Sequence, residues 1–149
     1  MFKFNSVMPS KLLLSALCTF SFVCSKAQST DISTKPFTDG TNHWYFIKDK
    51  TNIVNPIPNQ PKYAETDYTK IADNILYFQR DNGGWPKNYD MKAILTPQQI
   101  DSVIKTKYIE HTTFDNETTY THIHYLAQVY TLTKDSKYKD GCLRGINFT

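Results

Sequence analysis

The chain predicts an all-α fold on two observations. Apolar residues recur at three- and four-residue spacing in successive runs after Tyr63, and the boundaries of those runs carry helix-capping or helix-breaking residues. Neither pattern begins at the N-terminus.

Residues 1–27 read as a secretory signal peptide. Lys3 and Lys11 precede an apolar run from Leu12 to Val23, and Ser25-Lys26-Ala27 forms an A-x-A-like cleavage site ahead of Gln28. The run is too short to cross about 30 Å of hydrocarbon, so no stable membrane insertion is expected once it is removed. Bulky Val23 before Cys24 disfavours the alternative of a lipoprotein.

Three of the 17 basic residues leave with this segment, and the remaining chain has 14 basic and 14 acidic residues. The net charge of +3 therefore belongs to the leader, and no nucleic-acid partner is implied. Cys18 and Cys24 leave as well. Cys142 then stands alone and reads as a small buried apolar residue on a helix, without a disulfide framework. An exported bacterial chain, periplasmic or extracellular, fits this composition.

Residues 28–62 are rich in Ser, Thr, Asn and Pro, with Pro36, Pro56, Pro58 and Pro61 interrupting any periodicity. They predict an extended leader or linker, touching the rest at most through Trp44, Tyr45, Phe46 and Ile47. Residues 63–149 form the helical domain. Tyr68, Ile71, Ala72, Ile75 and Phe78 make one amphipathic stripe, which ends near Arg80 because Asn82-Gly83-Gly84 and Pro86 break helices. Thr96, Pro97 and Gln99 make a capping box for a second helix with Ile100, Val103 and Ile104 on its apolar face.

A third helix begins after Asp115 and presents Ile123, Leu126, Ala127 and Tyr130, closing over Thr133 to Asp135. Tyr138, Cys142 and Ile146 open a fourth. No stop signal follows Ile146-Asn147-Phe148-Thr149, which predicts a truncated reading frame or a piece of a larger helical domain.

Two loops have the residue types of a polar site. Asn82-Gly83-Gly84-Trp85-Pro86-Lys87 joins a tight turn, an indole and a cation beyond a rigid Pro. Trp85 either stacks on a sugar face or is core, and Lys87 is able to pair with a uronate carboxylate. Asp115-Asn116-Glu117 stands at a helix start, where Asp115 is either the N-cap or an oxygen ligand for Ca²⁺.

His122 and His124 are two residues apart and cannot chelate one metal from a helix; surface or partly buried positions are expected for both. No phosphate loop and no nucleophile elbow is present. The carboxylate pairs Asp81/Asp90 and Asp115/Glu117 do not establish a glycosidase, because spacing in sequence does not fix their separation.

These blocks together resemble the pectate lyases of polysaccharide lyase family 10, the pectic acid lyases. The resembling stretch runs from Ile71 to Phe148. It comprises Asn74-Ile75-Leu76 with Gln79, Asn82 through Asn88, Thr113-Phe114-Asp115-Asn116, Leu126-Ala127 with Val129-Tyr130, and Leu143-Arg144-Gly145. It implies the N-terminal helices of an (α/α)₃ barrel, a toroid, incomplete at the C-terminus. It also implies Ca²⁺-dependent β-elimination of polygalacturonate, the acidic backbone of pectin.

Carried over by residue, the resemblance gives Asp115 and Asn116 to the metal site and Trp85 and Lys87 to substrate binding. The family's catalytic Arg falls beyond Thr149. Neither Arg80 nor Arg144 takes that place, the catalytic residue is unknown, and these 149 residues alone are expected to show negligible lyase activity. Glu117 and Thr118 stand where the family has small residues, and His122 where Glu or Gln is commoner, which bears on the site's fine geometry. A non-catalytic pectin-binding remnant and a helical-repeat interaction module are the competing readings, and a monomer is expected. Against the repeat module, no second copy recurs at a fixed period. N-terminal sequencing of the exported product should begin at Gln28; a start at Met1 or a lipid on Cys24 would overturn the leader assignment.

Overall fold

Hydrophobic periodicity becomes packing in a computed structural model that describes residues 32–47, 49–115 and 118–149. The leader expected over residues 1–27, together with Asn116 and Glu117, lies outside the described residues. Among those described, the helices are α1 (Thr38–Phe46), α2 (Tyr68–Phe78), α3 (Pro97–Lys105), α4 (Tyr120–Thr133) and α5 (Ser136–Phe148), with a 3₁₀ turn at Lys35–Phe37. The described chain is all-α; its β-type pairing is an isolated antiparallel bridge between Lys62 and Ala93. No helix among the described residues is long and apolar enough to cross a membrane.

The stripe on α2 is realised as expected: Ile71, Ala72, Ile75 and Phe78 are buried. The capping box of α3 also forms, with Thr96 Oγ1 accepting from Gln99 N at 3.2 Å and Gln99 Oε1 accepting from Thr96 N at 2.9 Å. Val103 is buried, but Ile104 is exposed, because α3 packs on α2 along a narrower face than its sequence offers. On α4 the buried set is shifted toward Tyr125, Leu126 and Val129, with Ile123 and Tyr130 packed at the margin.

Two residues, Lys134 and Asp135, join α4 to α5, and these helices make the most extensive contact of any pair. Lys134 takes the left-handed conformation (φ 59°) that ends α4, and the Asp135 side chain caps α5 by accepting from Lys137 N at 3.1 Å. Tyr138 is buried, Cys142 half-buried and Ile146 exposed. At Gly145 an added Cβ would lie 2.7 Å from both the Trp85 indole and Ile123, so the missing side chain sets how closely α5 approaches.

The Pro-rich segment departs from expectation. It is not extended throughout: the 3₁₀ turn and α1 fold within it, and Ile32, Phe37, Trp44 and Val54 join the core cluster. Phe46 and Ile47, expected as contacts, are exposed. The reason is polar as much as apolar. Trp44 Nε1 donates to Val54 O at 2.7 Å, Gln99 Nε2 donates to Asn55 O at 2.9 Å, and Gln60 Nε2 donates to Ile94 O at 2.7 Å. The Val54 and Asn55 carbonyls of the segment are thus met by side-chain donors, and its own Gln60 bonds to the chain beyond it.

The glycines give a direct test. Gly145→Ala should lower stability by about 1–3 kcal/mol through overpacking. Gly40→Ala, whose Cβ would meet Asn88 N at an ordinary 3.7 Å within α1, should raise stability by about 0.5–1 kcal/mol. Urea denaturation of both variants decides it; midpoints shifted in the same direction would mean this packing is wrong.

Candidate functional site

The loop after α2 is built around an indole that faces inward. Trp85 is 0% exposed, and its Nε1 donates to Ile75 O at 2.8 Å in the last turn of α2. The ring stacks on His122 of α4 with centroids 5.1 Å apart and planes 21° apart. Of the two roles open to Trp85, core is the one its position serves. An indole with no exposed surface offers no face to a sugar, so Trp85 acts by holding the loop.

Buried amides organise the same turn. Gln79 Nε2 donates to Gly83 O at 2.8 Å and Gly141 O at 2.9 Å, while Gln79 Oε1 accepts from the Arg144 guanidinium at 2.6 Å. Gly83 adopts φ +94°, and a side chain there would strike the Arg144 carbonyl. Arg80 is buried and donates to Thr106 O at 2.8 Å, at the C-terminus of α3 where a cation is favoured. Burial holds its guanidinium below the ordinary value. Lys107 Nζ donates to Leu76 O at 3.1 Å, and burial, then Arg144 and Arg80, lower its pKa. These cations are committed to helix ends and amides.

The outer side of the loop is different. Thr113 N donates to Trp85 O at 3.1 Å, and Asn82 Nδ2 donates to Thr112 Oγ1 at 3.0 Å, tying the two sequence blocks edge to edge. That pairing brings Lys87 Nζ to 3.7 Å from Asp115 Oδ2, both side chains well exposed. Behind Lys87, Asn88 sits at φ 60°, and its Oδ1 lies 3.2 Å from His43 Nδ1 of α1. The segment expected as a tether therefore backs the site.

Asp115 is not the N-cap of α4; Thr119 is. Thr119 is buried with φ 66° and ψ −66°, and Tyr120 N donates to Thr118 O at 2.8 Å across it, making a γ-turn that strains a β-branched residue. The Thr119 hydroxyl donates to Thr113 O at 2.8 Å, so the strained residue closes the base of the Asp115 loop. Nothing in the Thr118-Thr119-Tyr120 sequence signals this. Asp90, offered as part of a carboxylate pair, is committed to an ion pair at 2.9 Å from Lys62 and to a bond from Tyr45 OH at 3.1 Å.

Asp115 offers hard oxygens at an exposed position, which is suitable chemistry for Ca²⁺. Among the described residues, however, no three His, Cys, Asp or Glu side chains gather into a metal-binding group. Asn116, the other expected ligand, lies outside the described residues.

His122 corrects the expectation of a surface or partly buried residue. It is 3% exposed, in edge contact with Phe37 at 4.9 Å, and its Nε2 has no protein hydrogen-bond partner. It lines a cavity of ≈ 20 Å³ with Lys87, Asn88 and Thr121, a volume that suits about one water molecule. His124 is exposed, as the two-residue spacing requires.

Burial lowers the His122 pKa to about 3 from 6.5. Between these values the unfolded chain takes up a proton that the folded chain refuses, so this contribution is intact above pH 6.5 and lost as pH falls toward 3. The slope reaches at most about 1.4 kcal/mol per pH unit. His122→Phe should flatten the pH dependence of urea-derived stability between pH 4 and 7; an unchanged slope would place His122 in water.

The pectic acid lyase family model matches residues 79–149, which include the Trp85 loop, Asp115 and the α4–α5 hairpin. No curated protein and no solved structure matches the chain. Over residues 79–149, this chain is similar to the pectic acid lyase family.

Proposed function

We propose that the chain functions in Ca²⁺-dependent cleavage of polygalacturonate by β-elimination, as an exported, monomeric pectate lyase of polysaccharide lyase family 10 whose helices belong to an (α/α)₃ barrel. The observation that carries this reading is the Lys87–Asp115 pair. Two loops distant in sequence are bonded together so that a cation and a carboxylate share one exposed edge, within the segment similar to pectic acid lyases. The short α4–α5 hairpin supports the barrel reading, since such a toroid is made of paired helices.

Each residue has a definite part. Asp115 would supply a carboxylate to the ion, with Asn116 and the uronate itself as the other expected oxygen donors. A Ca²⁺ ion held there would supply Lewis-acid chemistry, withdrawing charge from the uronate carboxylate and making the C5 proton more acidic. Lys87 holds a substrate carboxylate as a point charge. Its pairing with Asp115 is exposed and weak, about 0–1 kcal/mol, so the ammonium would be available to a substrate carboxylate. Trp85 keeps the loop seated.

Arg80 and Arg144 are not assigned to proton abstraction. Arg80 is buried against the end of α3, and Arg144 is bonded to Gln79.

Retardation of the protein in polygalacturonate-containing native gels, with and without EDTA, tests the reading without requiring turnover. Asp115→Ala and Asp115→Ser should both raise the Ca²⁺ concentration needed for retention by at least about tenfold, the lower end of losses seen on disturbing metal surroundings. Unchanged Ca²⁺ dependence in both variants would remove Asp115 from the site.

A further inference from the structure

The burial of Trp85 leaves the site without its expected aromatic surface, and another ring occupies the exposed edge. Phe114 is 54% exposed and directly precedes Asp115. One face of its ring is covered by Phe148 of α5, with centroids 5.2 Å apart and planes 17° apart. Phe148 is itself seated on Gly84, where an added Cβ would come within 2.7 Å of the Phe148 ring. Gly84, Phe148 and Phe114 thus form a stack that runs from the Gly-Gly-Trp-Pro loop outward, and it fixes the orientation of the outermost ring.

We infer that Phe114 is the platform on which a galacturonate ring of the polymer stacks, beside the Lys87–Asp115 pair; this rests on the pectate reading. The C–H face of a pyranose carries slight positive charge and meets the negative face of an aromatic ring, as edge-to-face aromatic contacts do. Adjacent Cα atoms are about 3.8 Å apart, so the ring and the Asp115 carboxylate serve the same or neighbouring sugar units. A uronate needs both parts: an apolar surface for the ring and a cation for its carboxylate, and Lys87 supplies the second.

Three variants test the assignment by affinity gel retardation on polygalacturonate, with thermal melts to monitor folding. Phe114→Leu keeps an apolar side chain but removes the π-face, and should bind about 3- to 10-fold more weakly. Phe114→Trp should bind at least as well as the wild type, and its added fluorescence should shift when trigalacturonate is added. Lys87→Ala should reduce the salt dependence of binding, whereas Phe114→Leu should leave that dependence unchanged.

A Phe114→Leu protein that binds like the wild type, or a Phe114→Trp protein whose added emission ignores trigalacturonate, overturns the platform while the pectate reading stands. A lowered melting temperature in Phe114→Leu with full binding also overturns it and makes the ring a clasp between the loop and α5. A wild-type chain that is not retained by polygalacturonate removes the pectate reading and this inference with it.

Discussion

Trp85 is the wedge on which the described architecture converges. Its Nε1 bonds to the last turn of α2, its ring lies on His122 of α4, and the absence of a side chain at Gly145 lets α5 close over it. Burying an indole removes roughly 150–250 Å² from water, an upper estimate of about 4–6 kcal/mol at ~25 cal/mol per Å². Its carbonyl also accepts from Thr113, so the interaction that fixes three helices also fixes the relation between the two polar loops. Packing and site geometry are therefore one constraint.

Around that wedge, buried polar groups do what hydrophobic contact cannot: they set register. Asn74 Nδ2 donates to Met91 O and Ala93 O at 2.7 and 2.6 Å, and Gln79 bridges Gly83 to Gly141. These amides sit on or just beyond the buried side of α2, where apolar residues would fit as well by volume. An unmet buried carbonyl costs about 1–3 kcal/mol, so each bridge discriminates against neighbouring loop paths. The same logic explains α1, whose Tyr45 and His43 reach Asp90 and Asn88 in the loop that follows Trp85.

The result is a two-layered site. Its inner layer, Trp85 and His122, is buried and uncharged, since burial depresses the imidazole far below its ordinary pKa. Its outer layer, Lys87, Phe114 and Asp115, is exposed and chemically mixed, with a cation, a π-face and an anion along one edge. Strain is stored between the layers at Thr119, whose hydroxyl bond to Thr113 O holds the Asp115 loop in place. Rigid support beneath an accessible polar edge is the arrangement a recognition site requires.

The sequence by itself determined the helices whose signals are local. The stripe on α2, the Thr96–Gln99 capping box and the break at Asn82-Gly83-Gly84 depend on spacing and backbone chemistry within a few residues, and each formed where expected. The family likeness was also legible, because it resides in short blocks in a fixed order.

Tertiary structure alone decided which side of each aromatic residue met water. Trp85 went inward because Gly145 made room for it, Phe114 went outward because Phe148 supported one face only, and His122 was buried because Phe37, from a segment that reads as a linker, closed over it. These outcomes depend on contacts between residues remote in sequence, and no periodicity within one helix encodes them.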